Sequence, residues 1–156
     1  RHMEWVTPTG WVVMQQYKEV QQKRIKTHIN GDVVSLSFPK DKEDTINKQR
    51  TGLGSSPNFI HSLDASAMTR TINKATQVGI VDFAMVHDSY GTHSSMMPQL
   101  SNILREEFVS MYEEHDVLDE LSTHAIKTLG TEDVPLPPSM GNLDIRNVLK
   151  SDYFFA

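Results

Sequence analysis

The run Phe83-Ala84-Met85-Val86-His87-Asp88-Ser89-Tyr90-Gly91-Thr92-His93 decides how the rest of the chain is read. Four apolar residues lead into a polar His-Asp-Ser cluster, and Tyr90 and Thr92 then resume a strand-like composition. That order predicts strand, tight turn and strand, with Asp88 at or beside the turn. A hairpin is a stiff support for one carboxylate, because cross-strand hydrogen bonds and a buried face fix its direction. An ordinary surface turn, where Asp and Ser are common, fits the same residues. Both readings stay open on the tripeptide alone.

Working upstream from the hairpin, Ser56-Pro57-Asn58 predicts the start of a long helix ending near Val78, with Gly79 as its stop. His61, Ala65, Met68, Ile72 and Ala75 share one stripe of that helix, and Ile60, Leu63 and Ala67 extend its buried side. The charged stretch 39–54 predicts a short separate helix around Asp44 to Arg50, ended by Gly52 and Gly54. Before it, Asn30-Gly31 between alternating apolar positions predicts a second hairpin, whose first arm turns Lys23, Arg24, Lys26 and His28 outward. Those basic residues form either a solvated face or a phosphate contact. Trp5 to Val13 reads as strand, Pro-Thr-Gly turn and strand, with both tryptophans expected to pack in the core or on a sheet face rather than to stack on bases.

Downstream, Pro98 suits the first turn of a helix reaching about Glu113, with Leu100, Leu104, Phe108 and Met111 inward. A further helix follows His115-Asp116, with Leu118, Leu121, Ala125 and Leu129 on its inner face and His115 and His124 outside the stripes, expected exposed. Pro135, Pro137 and Pro138 impose an extended connection, and a short helix runs from Asp144, its candidate N-cap, to Lys150. The chain ends Tyr153-Phe154-Phe155-Ala156; so apolar a tail should dock against something.

At 156 residues the chain fits one domain. Arg1-His2-Met3 reads as a tag remnant set aside from the fold, leaving residues 4–156 as one unit. The absence of cysteine excludes disulfides, thiolate metal sites and a cysteine nucleophile, and no apolar run approaches a membrane span. With 20 acidic and 15 basic residues, the net charge of −5 counts against a free-standing nucleic-acid binder. The expected fold class is α+β, hairpins packed on helices.

Three segments in order, Ser56-Pro57-Asn58-Phe59-Ile60-His61-Ser62, the His87-Asp88-Ser89 hairpin and the aromatic end, closely resemble the C-terminal end of the single-subunit DNA-dependent RNA polymerases. These are the enzymes of T-odd bacteriophages and their mitochondrial relatives, and the compact spacing after the hairpin favours the phage branch. The resemblance covers about Trp5 to Ala156. It implies the C-terminal palm and fingers portion of a right-hand polymerase, with the palm hairpin near 83–93 and a tail at 151–156 folded toward the active site. It implies that Asp88 holds Mg²⁺, that His87 and Ser89 support it, that His61 faces the growing RNA end, and that Phe155 supports catalysis. The implied partners are DNA template, RNA product, ribonucleoside triphosphates and the missing upstream portion, in the cytoplasm of a bacterial host.

Two Mg²⁺ ions about 4 Å apart can activate a 3′-hydroxyl and neutralise a pyrophosphate leaving group. Mg²⁺ prefers hard oxygen ligands and keeps several waters, so it needs few, rigidly placed carboxylates. In the resembled family the second aspartate comes from an earlier palm strand, and a fingers helix holds the triphosphate. Neither is here; Asp64 and Asp82 do not match that first aspartate, and Asp82 should face solvent. The chain alone is therefore expected to be inactive, with exposed apolar surfaces favouring self-association. Two other classes stand beside this reading: a metal-dependent phosphohydrolase using His87-Asp88 with His61, and a non-catalytic nucleic-acid-binding module using the hairpin at Lys23 to His28. Zinc on His87 and His93 matches no zinc spacing.

Overall fold

A computed structural model describes residues 2–154, with residues 43 and 44 described by backbone alone. The class is α+β: the described residues form three separate two-stranded antiparallel ribbons and three α-helices. Strands β1 (Met3–Val6) and β2 (Val12–Gln15) form the first ribbon, β3 (Lys18–Ile29) and β4 (Asp32–Ile46) the second, and β5 (Ala84–Val86) and β6 (Ser89–Gly91) the third. Helices α1 (Lys48–Gln77), α2 (Met97–Glu114) and α3 (Val117–Leu129) carry them, and a 3₁₀ helix spans Ile145–Lys150. His2 and Met3 take part in the fold: Met3 pairs with Gln15, and His2 meets Glu4 at 3.0 Å.

The β3–β4 ribbon turns through Asn30 and Gly31, both with positive φ (52° and 90°), the backbone that a two-residue hairpin turn demands. Between residues 20 and 42 every side chain described is exposed, apart from the half-buried Thr27 and Val34, which face each other across the strands. Twelve residues of β3 extend about 40 Å, so the ribbon projects as an arm.

Helix α1 differs most from expectation. It begins at Lys48, where Asn47 caps it by accepting from the Arg50 amide at 2.9 Å, and it runs unbroken through Gly52, Gly54 and Pro57. Gly54 packs rather than terminates: a Cβ there would lie 2.9 Å from Cε2 of Tyr17, whose ring also receives the Arg50 guanidinium and whose hydroxyl accepts from Asn58. The helix stops where Gly79 supplies φ +93°. Its buried side is Thr51, Ser55, Phe59, Ser62, Leu63, Ser66, Ala67, Thr71 and Ala75; Ile60, His61 and Ala65 are exposed. Hydroxyls can be buried there because each returns a bond to its own helix, as Ser66 does to the Ser62 carbonyl and Thr71 to that of Ala67.

Two cores hold the assembly. Trp5, Phe59 and Leu63 form one, with Met3, Val13, Val117 and Leu121 against them. Trp5 meets Phe59 edge-on at 5.6 Å and donates its indole N–H to Ser62 Oγ at 3.0 Å. Trp11, by contrast, is 70% exposed and outside the core. The second core, Ala75, Ile80, Leu100 and Ile103, seats Phe83, Met85 and Tyr90. No residue of α3 is fully buried; Leu118 and Leu129 are exposed, while Leu121 meets the Trp5 cluster. His115 before the helix and His124 within it are half-buried rather than exposed: His115 pairs with Glu120 at 2.8 Å, and His124 Nε2 lies 3.5 Å from Glu4.

Arg70 joins α1 to α2 by donating to Glu107 (3.2 Å), Glu114 (2.8 Å) and Ser110 (2.9 Å). Hydrogen bonds from Arg70 and then Ser110 hold the Glu114 carboxyl down at about 2, against an ordinary 4.5. A depressed carboxylate stabilises the fold above its unfolded value and loses that contribution as pH falls toward the folded one. The melting-temperature gap between wild type and Arg70→Met is therefore expected to be constant above about pH 5 and to shrink between about 4.5 and 2. A gap independent of pH would show that the carboxylate pairing contributes nothing.

Candidate active site

The β5–β6 hairpin is built as its composition predicts. Met85 pairs with Tyr90 and both turn toward the second core, while Ala84 and Val86 stay exposed. Two residues, His87 and Asp88, make the turn between Val86 and Ser89. His87 has φ +54°, a left-handed backbone that a non-glycine residue adopts at some cost. Both turn side chains are exposed, and packing of the strands beneath fixes where they emerge.

Asp88 lines two clefts. One, of about 610 Å³, is shared with His61, Asp64, Ala65, Met68 and His87. The other, of about 350 Å³, is shared with Ser89, Tyr90, Met97, Leu100, Ser101, Leu104 and Phe154. His61 and Asp64 reach the first cleft from the exposed face of α1, three residues apart and so on adjoining turns of one face. Three of the four residues expected at the site, His61, His87 and Asp88, line one cleft. Phe155 lies outside the described residues; its neighbour Phe154 forms a wall of the second cleft. Asp82 is exposed, and its carbonyl accepts from the Thr92 hydroxyl at 2.7 Å. His93 lines a different cleft, with Asp82 and Met96, away from His87.

The two carboxylates bear on the tyrosines behind them. Burial first, then the charges of Asp64 and Asp88, push the Tyr90 hydroxyl above its ordinary value. Burial and Asp64 do the same to Tyr112.

Asp64, Tyr90 and Phe154 were not picked out for the site from the sequence. The helical spacing from His61 carried the signal for Asp64, because a residue three positions on shares its face. His61 also lines a neutral groove with exposed Trp11, Thr9 and Asn58, which adjoins the cleft through His61 and Ala65.

As a metal site the donor set is partial. Among the described residues no three His, Asp or Glu side chains converge closely enough to hold an ion. An exposed, rigidly mounted Asp88 suits one ligand position of a divalent cation that takes its other oxygens from water, phosphates and a further chain segment.

The family described as DNA-dependent RNA polymerase matches residues 1–136, and the chain belongs to that family, in its phage-type, single-subunit form. The T7 RNA polymerase of Escherichia phage T7 is 35% identical over 161 residues, covering 99% of this chain and 18% of that protein. DNA-directed RNA polymerase 1A of Nicotiana tabacum is 38% identical over 153 residues, covering 98% of this chain and 94% of that one. The tobacco DNA-directed RNA polymerase 2B, chloroplastic/mitochondrial, is 39% identical, and the chain spans 14% of it. The likeness extends across phage and plant enzymes alike.

Proposed function

We propose that this chain is the C-terminal, palm-side part of a DNA-directed RNA polymerase and contributes Asp88 to templated nucleotidyl transfer. The observation that carries this reading is the convergence of Asp88, His87 and His61 on one cleft, with the Phe154 segment behind Asp88. Mg²⁺, bound by Asp88 together with an aspartate from elsewhere in the polymerase, would supply charge neutralisation at the hydroxyl and phosphates. The chain's own residues do the positioning. Asp88 offers a fixed acceptor at the turn, His87 and Ser89 flank and orient it, and His61 approaches the RNA end from α1.

The projecting β3–β4 ribbon presents Lys23, Arg24, Lys26 and His28 to solvent, suited to DNA phosphates although the chain is acidic as a whole. Large exposed apolar residues, among them Leu53, Val81, Val86, Leu136 and Leu143, suit a segment that meets further polypeptide. Alone, the chain is incomplete as a catalyst. A His-Asp phosphohydrolase would gather its ligands within the chain, and the donor set does not favour it.

The test is to mix this chain with the upstream portion of a phage-type polymerase and follow template-directed RNA synthesis. Synthesis only in the mixture supports the reading; none in the mixture, with phosphate-ester hydrolysis by the chain alone, contradicts it. Within that assay His87→Gly separates stability from function. Glycine relieves the positive φ and should raise stability by about 0.5 kcal/mol, while loss of the imidazole should lower synthesis about tenfold or more. An unchanged rate would remove His87 from the site.

A further inference from the structure

We propose that Arg105 is the anchor of the C-terminal segment, a positioning residue that sets the aromatic wall facing Asp88. Arg105 lies on α2, and its Nη1 donates to the carbonyl oxygens of Val148 (2.8 Å) and Ser151 (2.6 Å). Its guanidinium carbon sits 5.4 Å from the centroid of the Phe154 ring, close enough for a cation–π contact. Phe108, one turn along α2, meets the same ring edge-on at 5.1 Å. On the adjoining turn, Ser101 and Leu104 line the cleft that Phe154 shares with Asp88, Ser89 and Tyr90.

The chemistry of the anchor follows from where those carbonyls lie. They belong to the end of the Ile145–Lys150 3₁₀ helix and the residue after it, where the negative end of the helix favours a cation, and the Val148 carbonyl takes the guanidinium beside the Ser151 amide. Charge-assisted bonds of this kind exceed neutral ones. A planar guanidinium can serve two carbonyls along its edge while its face meets an aromatic ring, a fixed geometry that a compact ammonium on a flexible stem holds less well. The start of the 3₁₀ helix has its own ties, the Asp144 cap on the Arg146 amide and the Arg146–Glu113 pair. Arg105 therefore governs the stretch from Val148 to Phe154. The anchoring stands on these contacts alone, and its bearing on catalysis rests on the polymerase reading.

Amide hydrogen exchange on this chain tests it. The Ser151 amide bonds to the Val148 carbonyl and the Asn147 amide to that of Asp144. Arg105→Met is expected to speed exchange at Ser151 by about tenfold or more, with a smaller effect at Asn147 and none across 97–114. Arg105→Lys should recover part of the protection. Unchanged exchange at Ser151 would overturn the proposal, and so would equal acceleration through α2, which would make Arg105 a support of the helix. For the wall, NMR signals of Tyr90 and Leu104 should move in Phe154→Ala and move the same way in Arg105→Met, the double variant adding nothing. Independent, additive shifts would refute it. Neither readout needs catalysis, so a polymerase reading that fails, seen as no RNA from the mixed wild-type portions, is told apart from failure of the anchor.

Discussion

Replacing Asp88 by asparagine is expected to lower RNA synthesis in the mixed-portion assay by on the order of 10³-fold or more, with thermal unfolding unchanged. The two halves of that expectation have separate causes. Asparagine keeps the shape of the side chain but removes the negative charge, so a divalent cation loses an anionic ligand where charge develops on the phosphates. Stability should not move, because the Asp88 side chain is exposed and the hairpin is held by Met85 and Tyr90 on the core beneath. Asp64→Asn is the useful companion, since Asp64 lines the same cleft without sitting on the hairpin. Equal losses would mean that the cleft's overall charge matters rather than one ligand. A surviving rate in Asp88→Asn would remove the assignment.

The largest stability effect is expected at Trp5. Its side chain is 1% exposed, joins β1 to α1 through Phe59 and Ser62, and touches the surroundings of α3 through Val117 and Leu121. Trp5→Ala removes an aromatic from a packed site and should cost roughly 3–5 kcal/mol, including the cavity left behind. For a chain of this size that lowers the melting temperature by about 10 °C. Trp11→Ala, beside the turn of the same ribbon, should stay within about 0.5 kcal/mol because Trp11 is 70% exposed. Equal destabilisation by the two would contradict the division between core and surface. The pair also tests function, since Trp11 borders the groove adjoining His61, and only its loss should weaken activity without weakening the fold.

What could be read from the residues followed their local physics. Asn30-Gly31 and the apolar-polar order at 83–93 name their turns because only certain residues accept those backbones, and both hairpins formed. The first ribbon, α2 and the Asp144-capped 3₁₀ helix were legible for similar reasons. Helix α1 was not, in its start or its buried face. Gly52 and Gly54 read as a helix end and Ser56-Pro57-Asn58 as a fresh start, yet Gly54 answers a tertiary need, room for the Tyr17 ring, that no local pattern displays. The buried stripe carries Ser and Thr, so an apolar periodicity pointed to His61 and Ala65, which face the cleft instead. The turn and the resemblance single out Asp88, His87 and His61, which line one cleft. Arg105 and Phe154 act through contacts spanning more than 40 residues of chain, beyond the reach of spacing arguments.

The central claim is that the Asp88 carboxylate holds a divalent cation at the hairpin turn. Its most direct test is an anomalous-scattering map from crystals of this chain, with the upstream portion of a phage-type polymerase, soaked in Mn²⁺. The account predicts a peak within about 2.3 Å of an Asp88 carboxylate oxygen, sharing its site with an acidic side chain of that upstream portion. A peak held by His61 and His87 with Asp88 turned away would contradict it.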